Sequence, residues 1–400
     1  MGRRVSSDDD RSLFLVGGEV LTPEGRRRAD VTVYRGELAA IGEATPSGGV
    51  VVDAVGLLVA PGFVDLQING GFGRDFTSEP GAIWEVGARL PETGVTAFLP
   101  TIITAPRGRI DEARRVLDAG PPPDYRGAVP LGLHLEGPFL SSRRAGTHDP
   151  DLLRPPTPEE VADWSVDRHV RLVTLAPELP GATAIVRALV DRGVLVALGH
   201  SDASYEEALA GIDAGARLAT HLFNAMSPLS HRAPGVVGAV LGDPRIAAGL
   251  IVDGIHVHPG ALRVAWAAKG PEAIVLVTDA MAAMGMAPGV YRLGDLDITV
   301  DEGGPRNPEG RLAGSTLTLD RAVRNLVEFV GVAPDEAVAA AARNPARLLG
   351  LPSRGVVAVG RRADLVLLDA DLEVRAAIVG GDVVFADPAL DVAGAEPRNP

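Results

Sequence analysis

Four apolar runs in this chain each give way to a polar, chemically capable residue. Glu136 follows residues 128–135, His200 follows 194–199, His221 follows 216–220 and Asp279 follows 273–278. Short apolar runs bounded by turn residues predict strands buried on both faces. Between residues 58 and 350 such runs alternate with Ala-rich segments of helical character at 80–90, 110–119, 182–192, 205–214, 259–268 and 319–331. That rhythm predicts βα units. An open doubly wound sheet shares it, but no Gly-x-Gly-x-x-Gly or Walker motif follows an early strand. The expectation is therefore an α/β fold built on a parallel (β/α) barrel. The C-terminal ends of barrel strands converge on one face, so two imidazoles and two carboxylates far apart in sequence would meet there.

The two ends of the chain are patterned differently. Residues 13–16, 18–21, 30–34 and 37–41 are short β candidates separated by Gly, Pro and charge, and similar runs return at 355–360, 363–369, 374–379 and 382–385. Both termini can build one small domain when they lie close together. The expected organisation is residues 1–57 and 351–400 completing one small sheet or sandwich around a barrel at 58–350. The tail after Phe385 turns rich in Asp, Ala and Pro, and its last few residues are expected to be loosely held.

Composition narrows the chemistry. No cysteine is present among the 400 residues, so a transition-metal site must use imidazole and carboxylate rather than thiolate. The formal charge of -14 disfavours nonspecific binding to nucleic acid or anionic membrane, although a local basic pocket can still hold an anion. Residues 1–11 carry charge without an apolar leader segment, and no apolar run reaches the roughly eighteen residues of a membrane span. A soluble cytoplasmic protein is expected, with neither nucleic acid nor membrane as partner. No Gly-x-Ser-x-Gly elbow is present, which argues against a covalent serine mechanism. Gly70 to Gly73 lacks the Lys-Ser/Thr ending of a phosphate loop and is read as shaping the first barrel loop. Met281, Met284 and Met286 suggest a promiscuous binding surface or, equally, a mobile lid beside Asp279, and Ser315 or Thr316 an N-cap for the following helix.

Seven segments in order carry a family resemblance: Pro61-Gly62-Phe63-Val64-Asp65-Leu66-Gln67-Ile68-Asn69-Gly70, His134-Leu135-Glu136-Gly137-Pro138-Phe139, Gly146-Thr147-His148, Gly199-His200-Ser201, Thr220-His221-Leu222-Phe223-Asn224-Ala225-Met226, Asp253-Gly254-Ile255-His256-Val257 and Val277-Thr278-Asp279-Ala280. Together they resemble the amidohydrolase superfamily and, within it, the N-acetylglucosamine-6-phosphate deacetylases. The resemblance implies a catalytic (β/α)8 barrel at 58–350 with a small β-sandwich built from both chain ends, residues 1–57 and 351–400. It also implies metal-dependent hydrolysis of N-acetylglucosamine 6-phosphate to glucosamine 6-phosphate and acetate.

One departure matters. The superfamily ends its first barrel strand in His-x-His, whereas this chain has Gln67 and Asn69. Glu136, His200 and His221 remain, one carboxylate and two imidazoles with room for a water, which is the ligand count of a catalytic zinc site. One divalent ion per subunit is expected, zinc first, with iron, cobalt or manganese as alternatives. The resemblance further implies that Asp279 acts as base and then acid, and that His148 hydrogen-bonds the substrate carbonyl. By the same resemblance Asn224, Ala225 and His256 bind a phosphorylated N-acetyl amino sugar, and Arg232 reaches the phosphate of the neighbouring subunit in a homodimer. His134, His231 and His258 receive no catalytic role. Another hydrolase of the superfamily, acting on a cyclic amide or an N-acyl amino acid, is the enzymatic alternative. A sugar-phosphate-binding protein without activity is the other.

Overall fold

The computed structural model describes residues 12–46 and 49–394. The expectations for residues 1–11 and for the end of the tail lie outside them.

Eight parallel strands form the centre: β1 (Phe63–Ile68), β2 (Val95–Ile103), β3 (Leu133–Glu136), β4 (Val170–Leu175), β5 (Leu195–Leu198), β6 (Leu218–Ala219), β7 (Ala247–Leu250) and β8 (Ile274–Leu276). Each pairs with the next in order. The ring closes just past β8, where Ile68 bridges Ala280 and the amide of Asp279 donates to the Gln67 carbonyl at 2.8 Å. All nine residues of β2 are buried, as expected for a strand covered on both faces. Gly199 shows how tightly neighbouring strands approach at the mouth. A Cβ there would lie 2.7 Å from Thr174 Cγ2 and 2.9 Å from Thr220 Cβ, so only glycine fits immediately before His200.

Helices return the chain on the outside: α1 (Ile83–Arg89), α2 (Arg107–Asp118), α3 (Ala182–Val190), α4 (Tyr205–Ala214), α5 (Gly235–Gly242), α6 (Pro259–Lys269), α7 (Leu319–Val330), α8 (Pro334–Ala341) and α9 (Arg343–Leu348). Helix α4 starts on a capping box in which Ser204 Oγ accepts from the Glu207 amide at 3.2 Å and Glu207 accepts from the Ser204 amide at 2.8 Å. Between β3 and β4 the described crossover holds only short 3-10 turns. This irregular stretch carries His148 to the mouth.

The chain ends form two facing sheets. One orders 392–393, 50–53, 12–16, 30–34 and 37–42; the other orders 382–386, 374–379, 365–368, 58–61, 19–22 and 25–28. Leu13, Leu15, Val31 and Val52 from the first pack against Val20, Val59, Leu365 and Ile378 from the second. Residues 355–360, expected as a strand, form a turn instead. Gly355 and Gly360 both have φ near +77°, at 76° and 77°, a conformation that breaks strand geometry. Val357 still enters the sandwich core.

Helices α5, α8 and α9 and a three-stranded meander, Gly289–Leu293, Leu296–Asp301 and Gly304–Arg306, were not anticipated. The lid expected around the methionines is also corrected. Met281 and Met284 are fully packed, Met281 in a small apolar cluster with Leu293 and Ile298 of the meander, and only Met286 is exposed. Ser315 is not an N-cap: its hydroxyl donates to the Thr278 carbonyl at 2.6 Å, while Thr318 caps α7 without a side-chain bond. Gly70 and Gly71 pair with Arg74 and Asp75 in a short hairpin after β1, in keeping with their reading as a shaping loop.

Candidate active site

Glu136 is the last residue of β3; His200, His221 and Asp279 follow the ends of β5, β6 and β8. The last three hold positive φ, at 47°, 30° and 48°. Non-glycine residues adopt that region at a cost, and such strain is commonly concentrated where side chains must be aimed. Together with His148, Asn224, Ala225 and His256 they line one cavity of about 380 Å³ at the barrel mouth.

The three expected metal ligands converge. Glu136 Oε1 lies 3.1 Å from His221 Nε2 and 3.3 Å from His200 Nε2, and the two nitrogens are 3.1 Å apart. These separations match the edge of a tetrahedron with arms of roughly 2.0–2.1 Å, which is about 3.3 Å. The donor chemistry agrees. His200 Nδ1 lies 2.9 Å from the Arg144 carbonyl, which can only accept, so Nδ1 carries the proton and Nε2 turns a lone pair inward. A carboxylate and two imidazole nitrogens pressed this close need a positive centre between them, a shared proton or a divalent cation. Burial alone would raise the Glu136 pKa, but its hydrogen bonds and charge interactions with His200 and His221 hold it well below the usual carboxylate range. Burial opposes the charged form of His221, yet Glu136 keeps its pKa above the ordinary histidine value.

Glu136, His148 and His200 also offer ligand atoms within 4.8 Å of one another. Proton placement distinguishes the two trios. His148 Nδ1 accepts from the backbone N–H of Thr104 at 3.3 Å, so its proton sits on Nε2. Nε2, 3.9 Å from Glu136 Oε2, is then a donor rather than a ligand. Burial pushes the His148 pKa down to about 3, keeping the ring neutral.

Asp279 is held by the two residues that replace the His-x-His pair. Its Oδ1 accepts from Asn69 Nδ2 at 2.8 Å and from Gln67 Nε2 at 3.1 Å, and the same Gln67 nitrogen lies 3.1 Å from Glu136 Oε1. Two neutral amides thus separate and satisfy two buried carboxylates, leaving Asp279 Oδ2 free for exchange of a proton. Burial first, then the charge of Glu136, raises the Asp279 pKa above its ordinary value.

Below this layer, Asp65 accepts from the Thr278 hydroxyl at 2.6 Å and from the amides of Gln67 and Thr278, tying β1 to the segment that carries Asp279. Burial pushes its pKa from 3.8 up to about 7. Between those values the native state keeps a proton that the unfolded chain releases, so this group makes stability fall as pH rises, and its effect levels off above about 7. Asp65→Asn cannot titrate. Melting temperatures measured from pH 4.5 to 7.5 should decline less steeply for this variant, and an identical decline would refute the assignment. His134, without a catalytic role, is a core residue: its Nε2 pairs with Thr174 Oγ1 at 2.7 Å, and burial lowers its pKa to about 4.

The substrate-binding candidates divide. Asn224, Ala225 and His256 line the cavity, and the Asn224 amide is anchored to the His221 carbonyl at 3.1 Å. Arg232 and His231 sit exposed on the turn closed by Ser230 and Ala233, outside the described lining of this chain's own cavity. His258 caps α6, its Nδ1 accepting from the Gly260 amide. Sequence reasoning missed Thr104, the Arg144 carbonyl and the amide roles of Gln67 and Asn69, as well as Arg143 and Arg311 on the rim. No local pattern marks these, because their partners lie up to 212 residues away.

Residues 58–388 match the model of the amidohydrolase family. The chain is 41% identical over 393 residues to the human N-acetylglucosamine-6-phosphate deacetylase, covering 93% of this chain and 91% of that protein. It is 40% identical over 335 residues to an Escherichia coli O157:H7 N-acetylgalactosamine-6-phosphate deacetylase, covering 82% and 87%. Among solved structures, a variant of the Mycobacterium smegmatis N-acetyl-D-glucosamine-6-phosphate deacetylase in complex with N-acetyl-D-glucosamine-6-phosphate superimposes with a TM-score of 0.85 at 38% identity, covering 94% of this chain and 99% of that one.

Proposed function

Because the chain belongs to the N-acetylglucosamine-6-phosphate deacetylases of the amidohydrolase superfamily, we infer that it hydrolyses N-acetylglucosamine 6-phosphate to glucosamine 6-phosphate and acetate. The observation that supports the residue roles best is the convergence of Glu136, His200 and His221 beside an Asp279 whose Oδ1 is tied down. Those three would hold one divalent ion, zinc first. When bound, such an ion acidifies water and polarises the amide carbonyl.

Asp279 then takes the proton of the attacking water on Oδ2, its raised pKa making it a stronger base than an exposed carboxylate. The same carboxyl returns that proton to the amine nitrogen as the C–N bond breaks. His148 donates from Nε2 to the carbonyl oxygen as charge develops there, a role that needs the neutral ring its burial enforces. Gln67 and Asn69 keep Asp279 oriented through both proton transfers. Asn224, Ala225 and His256 receive the phosphate, and Arg232 completes that subsite in the neighbouring subunit of a homodimer.

A substrate panel tests the activity: the phosphorylated glucosamine derivative should release acetate fastest, its galactosamine epimer second, and a hydantoin or N-acyl amino acid not at all. Hydantoin turnover without acetate release would transfer the chain to the alternative. The cross-subunit role has its own test. Arg232→Ala should raise KM for the phosphorylated substrate by about tenfold or more while metal content stays intact. Mixing that variant with Asp279→Asn under subunit exchange should restore activity above either parent, since one composite site then holds both native residues. Verified heterodimers without recovery would place Arg232 outside the neighbouring site.

A further inference from the structure

His256 lines the cavity with a side chain only 5% exposed, on a turn that directly follows β7. Gly254, at φ 76°, lets the chain reverse there, and Asn325 of α7 anchors the start of the turn by donating to the Val252 carbonyl at 2.7 Å. Asp253 fills the inside of this turn. Its Oδ1 accepts from the backbone amides of Ile255 and His256, both at 2.8 Å, and its Oδ2 lies 2.6 Å from His256 Nδ1.

Burial would raise the Asp253 pKa, but the His256 bond and charge keep it below the usual carboxylate range. A carboxylate only accepts, so the proton between the two groups belongs to Nδ1. The ring cannot rotate without breaking that bond. Nε2 is therefore the nitrogen left for a ligand.

We propose that Asp253 is a positioning residue for phosphate recognition, locking the His256 ring and balancing a second proton on it when a phosphate dianion lies opposite. The proposal rests on His256 being a phosphate contact. Asp253 on one side and phosphate on the other make the imidazolium a bridge between two anions, and hydrogen bonds of that charge-assisted kind are the strong ones. Loop organisation alone would not require a carboxylate. An asparagine could still accept both amides through Oδ1, but its Nδ2 would then face Nδ1 and force the ring to keep a single proton, on Nε2.

Asp253→Asn, His256→Asn and the double variant separate these possibilities. Asp253→Asn should raise KM for N-acetylglucosamine 6-phosphate by about tenfold with a much smaller change in kcat. In the His256→Asn background it should add almost nothing, because the two residues act through one contact. A wild-type KM for Asp253→Asn, or losses that multiply in the double variant, would overturn the proposal. If instead His256→Asn itself leaves KM unchanged, the phosphate-subsite reading fails, and this proposal with it. Should Asp253→Asn not fold, nitrogen NMR of the wild-type metal-loaded enzyme saturated with glucosamine 6-phosphate decides. Both ring nitrogens of His256 should be protonated, and a lone pair on Nδ1 contradicts the assignment.

Discussion

Asp279→Asn is expected to lower kcat by about a thousandfold while the protein keeps its metal and its KM changes little. The carboxyl is the proposed proton carrier of the site: Oδ1 is occupied by Asn69 and Gln67, and Oδ2 has no such restraint. The asparagine preserves shape but cannot accept and return a proton. Its Oδ1 can still accept from Asn69 and Gln67, so Nδ2 takes the place of the unrestrained Oδ2. Metal analysis by mass spectrometry and steady-state kinetics on the same sample make the check. Turnover near the wild-type rate would remove Asp279 from the proton path, whereas loss of metal along with activity would recast it as a ligand.

Glu136→Gln should lose bound metal and activity together. Glu136 is the one carboxylate in the converging trio, and it alone supplies negative charge between two imidazoles. Even residues one layer outside a metal site cost roughly 10–100-fold in affinity when changed, so removing this charge should exceed about 100-fold. Equilibrium dialysis against a competing chelator measures it. Stoichiometric metal in the variant would exclude Glu136 as a ligand. His148→Asn offers the contrast: it should reduce turnover but leave metal content unchanged, because His148 presents a proton, not a lone pair.

Much of this site was legible because strand-end positions are visible in sequence. Glu136, His200, His221 and Asp279 each interrupt or follow an apolar run, and a parallel barrel brings such positions together by its topology. Helix α4 was legible to the residue, since its Ala-rich pattern already gave 205–214. The failures have local causes. Residues 355–360 carry an apolar pattern that two left-handed glycines override, and the methionines near Asp279 looked like a mobile surface because no local pattern shows that Met281 packs with Leu293 and Ile298 of the meander and Met284 in the barrel core. What replaced the missing His-x-His pair could not be read at all. Gln67 and Asn69 show an absence of ligands in sequence; only the closure of β1 against the segment after β8 turns them into the amides that orient Asp279.

The proposed deacetylase works with one divalent ion held by Glu136, His200 and His221. Stripping the purified protein of metal and titrating it with zinc while following acetate release from N-acetylglucosamine 6-phosphate tests it directly. Activity should rise from near zero in proportion to added zinc and level off at one equivalent per chain. Absence of acetate at every metal loading, or a plateau reached only at two equivalents, would contradict it.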